Sequence, residues 1–347
     1  MFLEQLTKAL TKSGNRRSSL SSIKWSGSNR EHLIIFSVLL VLCIGLSMAS
    51  PAFLTQSNLL DITRVVSING IMALGMTFVI LTGGIDLSVG STFALAGVIT
   101  AGLVTGSYSD STLVGLVTLP VPFALFVGIL VGVAIGFVNG LIITRFKVGA
   151  FVVTLGMMIF ARGLTYLYSG GYPVNFKPMS ASFGWIGQGS VLGLPTPTVL
   201  FIVIIALCWW IIRYTAFGRS VYAIGGNEEA ARLSGINIKR IQIFAYSFLG
   251  ALAAFSGIIM TSRVASGSPV AGTGYELDVI AAVVIGGTSL VGGKGSIFGT
   301  ILGVFIIGVI ENGLNLMGVS TYYQYIIKGL VLITAVGIDG YLRKKKY

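Results

Sequence analysis

The chain has 347 residues, of which 54% are hydrophobic and only 10% charged, whereas an ordinary soluble domain carries roughly 25% charged residues. Its two cysteines and single histidine exclude a disulfide framework, a Cys/His zinc site and a His-based catalytic triad. A helical membrane protein is expected, with room for roughly eight to ten spans of about 20 residues each.

Apolar segments follow one another along the chain, divided by glycine, proline and charged residues. Residues 33–50 look like a secretory signal, but about 30 polar and basic residues precede them and no convincing cleavage site follows, so an uncleaved first span is predicted. Residues 113–146 are too long a run for one span, and Pro120 and Pro122 indicate a short external or re-entrant helix in its first part. The predicted spans are residues 33–50, 66–82, 89–105, 121–144, 149–168, 197–213, 241–262, 277–291, 297–316 and 322–340.

These segments predict an all-α integral membrane fold of about ten transmembrane helices with short re-entrant or interfacial helices. A basic N-terminal tail would occupy residues 1–32, and a basic C-terminal tail would occupy residues 341–347. The transmembrane domain would occupy residues 33–340, with a polar cytoplasmic loop at 214–240. The Gly-, Pro- and Ser-rich residues 169–197 are expected to form an outer surface loop with a short interfacial helix.

Lysine and arginine residues are unevenly divided between the two sides that these spans define. If the N-terminus is cytoplasmic and ten spans alternate, most of the 23 basic residues fall on the inner side, as the positive-inside rule requires. Both termini are therefore expected in the cytoplasm. The net charge of +12 is spread along one membrane face rather than gathered into a nucleic-acid-binding patch. The basic residues that fall elsewhere are Arg64, Arg162, Lys177, Arg263 and Lys328.

The longest charged run inside the apolar body is GRSVYAIGGNEEAARLSGINIKR at residues 218–240. Asn227 is suited to N-cap a helix, the two glutamates after it would lie in the first turn, and Gly235 is placed to end it. Glu228 and Arg232 are four residues apart and can pair across one turn. An isolated helix of about two turns is marginal in water, so either this protein's own surface or a partner should hold it. A capped connector that contacts nothing is the alternative.

Glu229, Ala230, Ala231 and Gly235 form an E-A-A-x-x-x-G pattern. This pattern resembles the coupling motif of ABC importer permeases, although the Ile-x-Leu-Pro that follows in that motif is absent here. Longer blocks from about residue 50 to the C-terminus resemble the monosaccharide branch of this family, and its ribose permeases in particular. These blocks are MALGMTFVILTGGIDLSVGS at 72–91, AIGGNEEAARLSGIN at 223–237, AGTGYELDVIAAVVIGGTSLVGGKGS at 271–296 and NGLNLMGVSTYYQ at 312–324.

The resemblance implies a type II ABC importer permease in a bacterial inner membrane. Such a chain is not an enzyme and binds no cofactor, because a separate ATP-binding subunit uses the ATP and magnesium. The other implied partners are an external sugar-binding protein and a second permease subunit, most simply an identical copy. The implied sugar is ribose; the alternatives are another pentose, galactose or a signalling furanose, or a secondary sugar transporter. The implied ATPase-coupling residues are Asn227, Glu228, Glu229, Ala230, Ala231, Arg232, Leu233 and Gly235.

GGIDLSVG at 83–90 is echoed by GGTSLVGG at 286–293, and NGL occurs at 139–141 and again at 312–314. This order predicts weakly repeated halves, although with 47 glycines such matches also arise by chance. The stretch GTSLVGGKGS at 287–296 is not a P-loop, because five residues precede its Gly-Lys and a glycine follows the lysine. ATP hydrolysis is therefore expected in a partner. Signature or gating turns are predicted at Gly83, Gly84, Asp86, Gly286 and Gly287.

Several charged side chains fall within or beside the predicted spans. Asp86 either N-caps the following helix or has a functional role. Glu276 and Asp278 either cap a helix at the outer interface or dock the binding protein. Glu311 and Lys328 either pair with each other, snorkel to an interface or belong to a proton or ion relay.

Four amides, Asn69, Asn139, Asn312 and Asn315, lie at or near membrane depth. They either hydrogen-bond neighbouring helices or line a pathway for a neutral polyol, which needs no charged lining. Arg162, in the fifth predicted span, is expected to snorkel outward. A membrane-embedded enzyme is disfavoured because the spans contain no histidine and no metal-ligand cluster.

Overall fold

The computed structural model describes residues 27–105, 117–175 and 180–344. Most of the predicted N-terminal tail, part of the predicted C-terminal tail and most of the predicted short helix before Pro120 lie outside the described residues.

The described residues form helices joined by short connections and two very small antiparallel sheets. Strand β1 (Val174–Asn175) pairs with β4 (Ser266–Gly267), and β2 (Ser190–Val191) pairs with β3 (Leu194–Pro195). The helices are α1 (Gly27–Ala49), α2 (Gln56–Leu81), α3 (Val89–Thr105), α4 (Val121–Phe146), α5 (Ala150–Ser169), α6 (Ala181–Gln188), α7 (Thr196–Tyr214), α8 (Ala216–Gly226), α9 (Glu228–Leu233), α10 (Ile238–Val264), α11 (Tyr275–Ile285), α12 (Ile297–Leu316) and α13 (Thr321–Lys344).

Seven helices in the described part of the chain are long and apolar enough to cross a bilayer: α1, α2, α4, α5, α7, α10 and α12. Their bounds agree with the predicted spans to within about three residues, except that α1 begins six residues earlier, at Gly27, and α2 begins ten residues earlier, at Gln56. The predicted count of ten spans is not confirmed, because α3 is shorter and α11 and α13 do not meet the same criteria.

Helix α11 corrects the predicted span at residues 277–291. It has only 11 residues and ends at Ile285, so its length of about 16 Å is roughly half of the hydrocarbon core. The helix stops there because Gly286 follows it and Gly287 adopts a positive φ of 87°, a conformation that favours glycine. An apolar run alone does not reveal this stop.

Helices α2 and α10 form the centre of the bundle. Every residue of α2 from Val66 to Leu81 is buried, whereas α1 and α5 expose most of their apolar side chains. Helix α10 contacts α4 at Gly250 and Gly132, where a Cβ on either glycine would overlap the carbonyl oxygen of the other. Small residues at such contacts let membrane helices approach backbone to backbone.

The two ends of the bundle carry different elements. The α9 end carries α8 and α9 together with the C-terminal ends of α2 and α11. The opposite end carries α6, which is the short helix predicted within residues 169–197, and the β1–β4 pair. Helix α6 is fixed there because Gly187 N–H donates to Ser262 Oγ over 2.8 Å.

Candidate functional site

Helix α9 is a six-residue helix with a complete cap at each end. At its start, Asn227 Oδ1 accepts the Ala230 N–H over 2.9 Å, as the sequence predicted. At its end, Gly235 has a φ of 82°, its N–H donates to Arg232 O, and the Ile236 N–H donates to Ala231 O. This is a Schellman motif, which satisfies the last carbonyl groups of the helix.

The predicted ion pair between Glu228 and Arg232 is wrong, because Arg232 pairs with Glu229 instead. Residues three apart on a helix are neighbours as well as residues four apart, and in this short helix the nearer carboxylate belongs to Glu229. Both side chains of the pair are about two-thirds exposed, at 66% for Glu229 and 63% for Arg232. A surface pair of this kind contributes only about 0–1 kcal/mol.

The outer surface of α9 is exposed and partly apolar. Ala231 is buried against the bundle, whereas Leu233 is 81% exposed. The exposed face of α9 combines one large apolar side chain, Leu233, with the charged side chains of Glu228, Glu229 and Arg232. The residues predicted to couple the ATPase, from Asn227 to Gly235, therefore lie together on one protruding segment.

Helix α8, which leads into α9, meets the bundle backbone to backbone at its C-terminal end. A Cβ on Gly225, at the end of α8, would overlap both the Leu81 carbonyl oxygen and the Gly293 nitrogen. The Gly293 N–H in turn donates to Leu81 O over 3.0 Å. We call this meeting point of Leu81–Gly84, Gly225 and Gly292–Gly293 the glycine junction.

Tyr222 adds a side-chain bond beside the glycine junction. Its hydroxyl donates to the Gly295 carbonyl oxygen over 2.8 Å. Burial raises the pKa of Tyr222, so the phenol remains protonated and able to donate at neutral pH. Helix α8 is thus attached to the 286–295 turn at two points.

Both predicted Gly-Gly turns follow the end of a helix. Gly83 has a φ of 79° after α2, and Gly287 has a φ of 87° after α11. The two predicted halves of the chain nevertheless differ in their helix order. In the first half, α3 lies between the Gly-Gly turn and α4, which carries the NGL of residues 139–141. In the second half, the Gly-Gly turn leads directly into α12, which carries the NGL of residues 312–314. Duplication of the halves stays a prediction.

Asp86 is deeply buried in the non-helical stretch between Gly84 and α3, and it does not N-cap α3, which was one of the two roles that the sequence left open. Its Oδ1 accepts both the N–H and the hydroxyl of Ser88, over 2.8 and 2.6 Å. Ser88 is the residue at the cap position, since its carbonyl oxygen accepts the Thr92 N–H. Asp86 Oδ2 accepts Asn139 Nδ2 over 3.3 Å, so the carboxylate fixes the entry to α3 against α4.

The structure disperses the four predicted pathway amides over three helices. Asn139 is fully buried and also donates to Ser88 Oγ. Asn312 and Asn58 exchange two amide hydrogen bonds, of 3.1 and 2.7 Å, between α12 and α2. Asn315 Oδ1 accepts Gln324 Nε2 over 2.8 Å, and Asn69 is buried in α2. Three of the four therefore connect elements of the bundle, as the first of the two interpretations expected.

The charged residues at the start of α11 reach neighbouring helices. Lys328 Nζ donates to Asp278 Oδ2 over 2.8 Å and lies 3.7 Å from Glu311 Oε1. The predicted pair of Glu311 and Lys328 is confirmed, with Asp278 as a nearer partner. Because these side chains lie on α11, α12 and α13, the cluster ties three helices together. A docking role for Asp278 and Glu276 stays a prediction.

Arg162 does not snorkel outward. Its Nη1 donates to the carbonyl oxygens of Pro269 and Ala271, over 2.6 and 2.9 Å, and so anchors α5 to the loop before α11. Glu276, in the first turn of α11, uses Oε1 to accept the Gly274 N–H over 3.3 Å. Glu276 thus satisfies the N–H of the N-cap residue Gly274 without capping α11 itself, since no side chain caps this helix.

A cavity of about 390 Å³ lies between α5, the start of α3 and the loop before α11. None of the four predicted amides lines it. One signal of this cavity was present in the sequence, a charged residue within the fifth predicted span, but no pattern associated Arg162 with Ser91 or Glu276. The lining residues are Ser91, Met158, Ile159, Arg162, Gly163, Tyr166, Thr273 and Glu276.

The chain is similar to known permeases over nearly its whole length. Residues 58–336 match the family model described as "Branched-chain amino acid transport system / permease component". The ribose import permease protein of Escherichia coli (strain K12) is 49% identical over 303 residues, which are 87% of this chain and 91% of the relative. The corresponding protein of Bacillus subtilis (strain 168) is 46% identical over 310 residues, 89% of this chain and 92% of the relative.

A sugar permease of different printed specificity is also similar. The L-arabinose transport system permease protein of Escherichia coli (strain K12) is 38% identical over 314 residues, 90% of this chain and 91% of the relative. No solved structure matches the chain. With apolar membrane-length helices and a family match that spans most of its residues, the chain belongs to this family of transport-system permease components.

Proposed function

We propose that this chain is the membrane-spanning subunit of an ATP-driven importer for ribose. The observation that carries the proposal is the 49% identity with a ribose import permease over 87% of the chain, compared with 38% for an L-arabinose permease. L-arabinose, another pentose, galactose or a signalling furanose are the alternative sugars, and a secondary sugar transporter is the alternative class.

The energy source is a separate ATP-binding subunit, which holds the ATP and magnesium. Support comes from the sequence at 287–296, which lacks P-loop spacing, and from the shape of α9. An ATPase that binds α9 buries the exposed Leu233 as an apolar anchor. The caps stabilise the helix at its ends, so its outer face stays free for this contact. The remaining coupling residues, Asn227 to Gly235, shape the contact.

Motion of α9 reaches the pathway through the glycine junction. Because α8 meets α2 and the 286–295 turn at backbone distance at Gly225, and also stacks Phe217 on Phe78 of α2, there is little free space at this contact to absorb a displacement of α8. A shift of α8 therefore moves the ends of α2 and α11 and the start of α12 together. Gly83, Gly84, Gly286 and Gly287 are the turns about which these helix ends pivot, and buried Asp86 keeps the start of α3 in register.

The chain lies in a bacterial inner membrane with both termini in the cytoplasm, and the α9 end is the cytoplasmic end. The basic residues of residues 213–240 and Lys294, which the sequence assigns to one side, support this orientation. Helices α3, α11 and α13 complete the seven apolar, membrane-length helices to ten membrane-embedded elements of a type II importer. An external sugar-binding protein delivers the sugar to the opposite end, where Glu276 and Asp278 are candidate contacts.

A second permease subunit, an identical copy, covers the face on which the 390 Å³ cavity opens. Arg162 and Glu276 line that cavity beside exposed apolar residues of α5 such as Ile159. Charged groups that face lipid are costly, and a partner subunit removes them from lipid. The pathway for the sugar then runs between the two copies.

Substrate competition tests the sugar directly. The permease is reconstituted with its ATPase and binding protein, and ATP-dependent uptake of labelled ribose is measured against an excess of unlabelled ribose, L-arabinose, galactose or leucine. We expect ribose to compete strongly and leucine not at all. Stronger competition by another solute, or uptake of leucine itself, contradicts the assignment to ribose.

A further inference from the structure

Two helices of the bundle begin inside it rather than at a membrane surface. Helix α11 is about 16 Å long, so a helix that ends at the α9 end starts roughly half way across a 30 Å hydrocarbon core. The loop that leads into α11 lies against the start of α3, because a Cβ on Gly90 would overlap the Gly272 carbonyl oxygen. Phe93 and Tyr275 meet edge to face at 5.3 Å just beyond this contact.

The depth of Arg162 agrees with this placement. Helix α5 runs from Ala150 to Ser169, which puts Arg162 about 18 Å along it and about 10 Å from its far end. The cavity between Arg162, Ser91 and Glu276 therefore lies well inside the membrane. Interrupted helices with polar groups at this depth are typical of solute sites in transporters.

Ser91 provides an observation that is independent of helix geometry. The residue is only 1% exposed, lines the cavity, and its hydroxyl has no hydrogen-bond partner within the described residues. A buried hydroxyl without a partner is unfavourable by about 1–3 kcal/mol. Because this hydroxyl lies beside the cavity, a small shift of the lining would let a ligand or water complete its bond.

The rest of the lining supplies both donors and acceptors. Arg162 uses Nη1 for two carbonyl groups, and within the described residues Nη2 and Nε make no hydrogen bond. Glu276 uses Oε1 for Gly274, while its Oε2 faces Gly90. Thr273 and Tyr166 add hydroxyl groups, and Met158 and Ile159 add apolar surface.

This chemistry suits an uncharged polyol. A sugar presents hydroxyl groups that both donate and accept, so it bonds with a carboxylate, a guanidinium and hydroxyl groups at once. The formal charges of Arg162 and Glu276 cancel, which leaves no net charge to attract an ion. The volume of about 390 Å³ lies within the range of small-molecule sites, about 300–1,000 Å³.

We propose that Ser91, Arg162, Tyr166, Thr273 and Glu276 form a site that holds one monosaccharide half way across the membrane. The site deepens the proposed function and rests on it, with ribose as the ligand. It transfers the solute-contact role from Asn69, Asn139, Asn312 and Asn315, most of which bond to other residues of the bundle, to a cavity whose polar groups keep part of their hydrogen-bonding capacity. The Thr273 hydroxyl, for example, donates to Val270 O over 2.7 Å but can still accept a hydrogen bond.

Thiol accessibility tests the site. Cys43 and Cys208 are replaced by serine and alanine, Ser91→Cys is introduced, and the full transporter is treated with a small hydrophilic thiol reagent during turnover. We expect Ser91→Cys to be labelled, and saturating ribose to slow the labelling at least about five-fold. The matched control is Ser256→Cys, since Ser256 is also fully buried with an unpartnered hydroxyl but does not line the cavity, and it should remain unlabelled.

The outcomes separate the site from the proposed function. If Ser91→Cys resists the reagent while ribose uptake proceeds, the cavity is not on the solute path and the site is wrong, although the function stands. Labelling that leucine slows and ribose does not contradicts both. Labelling that no solute slows, in a transporter that imports ribose, overturns the site alone.

A second variant guards against misfolding of the first. Ser91→Ala removes only the hydroxyl and should lower maximal ribose uptake about five-fold, because one hydrogen bond to a neutral group contributes about that factor. ATPase stimulation by the loaded binding protein and the amount of permease in the membrane should stay unchanged. Ser256→Ala is the matched control and should retain uptake. Equal uptake by Ser91→Ala and the wild type contradicts the proposed contact.

Discussion

The Gly293 N–H donates to the Leu81 carbonyl oxygen over 3.0 Å, and so joins the turn after α11 to the last residue of α2. The backbone of Gly225 lies against both atoms of this bond. Because α9 follows α8 directly, the protruding helix and two helix ends of the bundle share one rigid contact. This contact gives the coupling proposal its most specific tests.

Replacing Gly225 by alanine should uncouple the transporter. The added Cβ would overlap backbone atoms of Leu81 and Gly293, which cannot rotate away, so we expect a cost of about 1–3 kcal/mol at the junction and a fall in ATP-dependent ribose uptake of at least about ten-fold. The neighbouring Gly226→Ala is the matched control, since its Cβ would meet nothing within 4 Å. Uptake and ATPase rate are measured together, and equal uptake by the two variants would show that the junction transmits nothing.

Leu233→Asp should weaken binding of the ATPase. A central apolar anchor in an interface is worth about 1–2 kcal/mol or more, so we expect roughly ten-fold less ATPase to co-purify with the permease. Leu192→Asp is the control, because Leu192 is 99% exposed in the turn between β2 and β3 at the opposite end. Glu229→Lys and a bulky residue at Gly235 should act in the same direction. Undiminished co-purification by Leu233→Asp would place the ATPase elsewhere.

Lys328→Met should destabilise the permease. It leaves the carboxylates of Asp278 and Glu311 without their cation, and the loss of one partner from a largely buried pair is unfavourable by about 3 kcal/mol. We expect this loss of stability to appear as a lower thermal unfolding temperature in detergent. Adding Asp278→Asn should restore part of the lost stability. The more accessible pair of Arg64 and Asp61, whose side chains are 31% and 47% exposed, offers the comparison, since Arg64→Met should change stability by less than about 1 kcal/mol.

Two substitutions of Asp86 separate a structural role from an ionic one. Asp86→Asn keeps an acceptor for Ser88, and Asn139 can turn its unpartnered Oδ1 toward the new amide, so we expect at least about half of wild-type uptake. Asp86→Ala removes the acceptor for the N–H and hydroxyl of Ser88 and one of the two acceptors for Asn139, and should lower stability by about 1–3 kcal/mol. If Asp86→Asn is stable but inactive, Asp86 acts through its charge and the structural interpretation fails.

Local patterns predicted much of this fold. The segments 121–144 and 297–316 closely match α4 and α12, because a bilayer demands long apolar runs and the flanking glycine, proline and charge end them. Asn227 and Gly235 predicted the caps of α9, since capping depends only on residues a few positions away. The residues that resemble permeases led to the family that the comparisons show.

What the sequence missed depends on contacts between distant segments. The stop of α11 at Ile285 lies within a run that hydropathy treats as one segment. Ser91, Arg162 and Glu276 lie on three separate elements, so no spacing rule associates them. Arg162 donates to the carbonyl groups of Pro269 and Ala271 inside the bundle. The sequence prediction treated the span as isolated, and in an isolated span an arginine side chain extends to the membrane interface.

The most direct test of the central claim is uptake of labelled ribose into proteoliposomes that contain the permease, with and without its ATPase subunit. With the ATPase, the loaded binding protein and ATP, we expect ribose to accumulate; without the ATPase or with a non-hydrolysable nucleotide, we expect none. Ribose accumulation driven by a proton or sodium gradient in the absence of the ATPase would contradict the account.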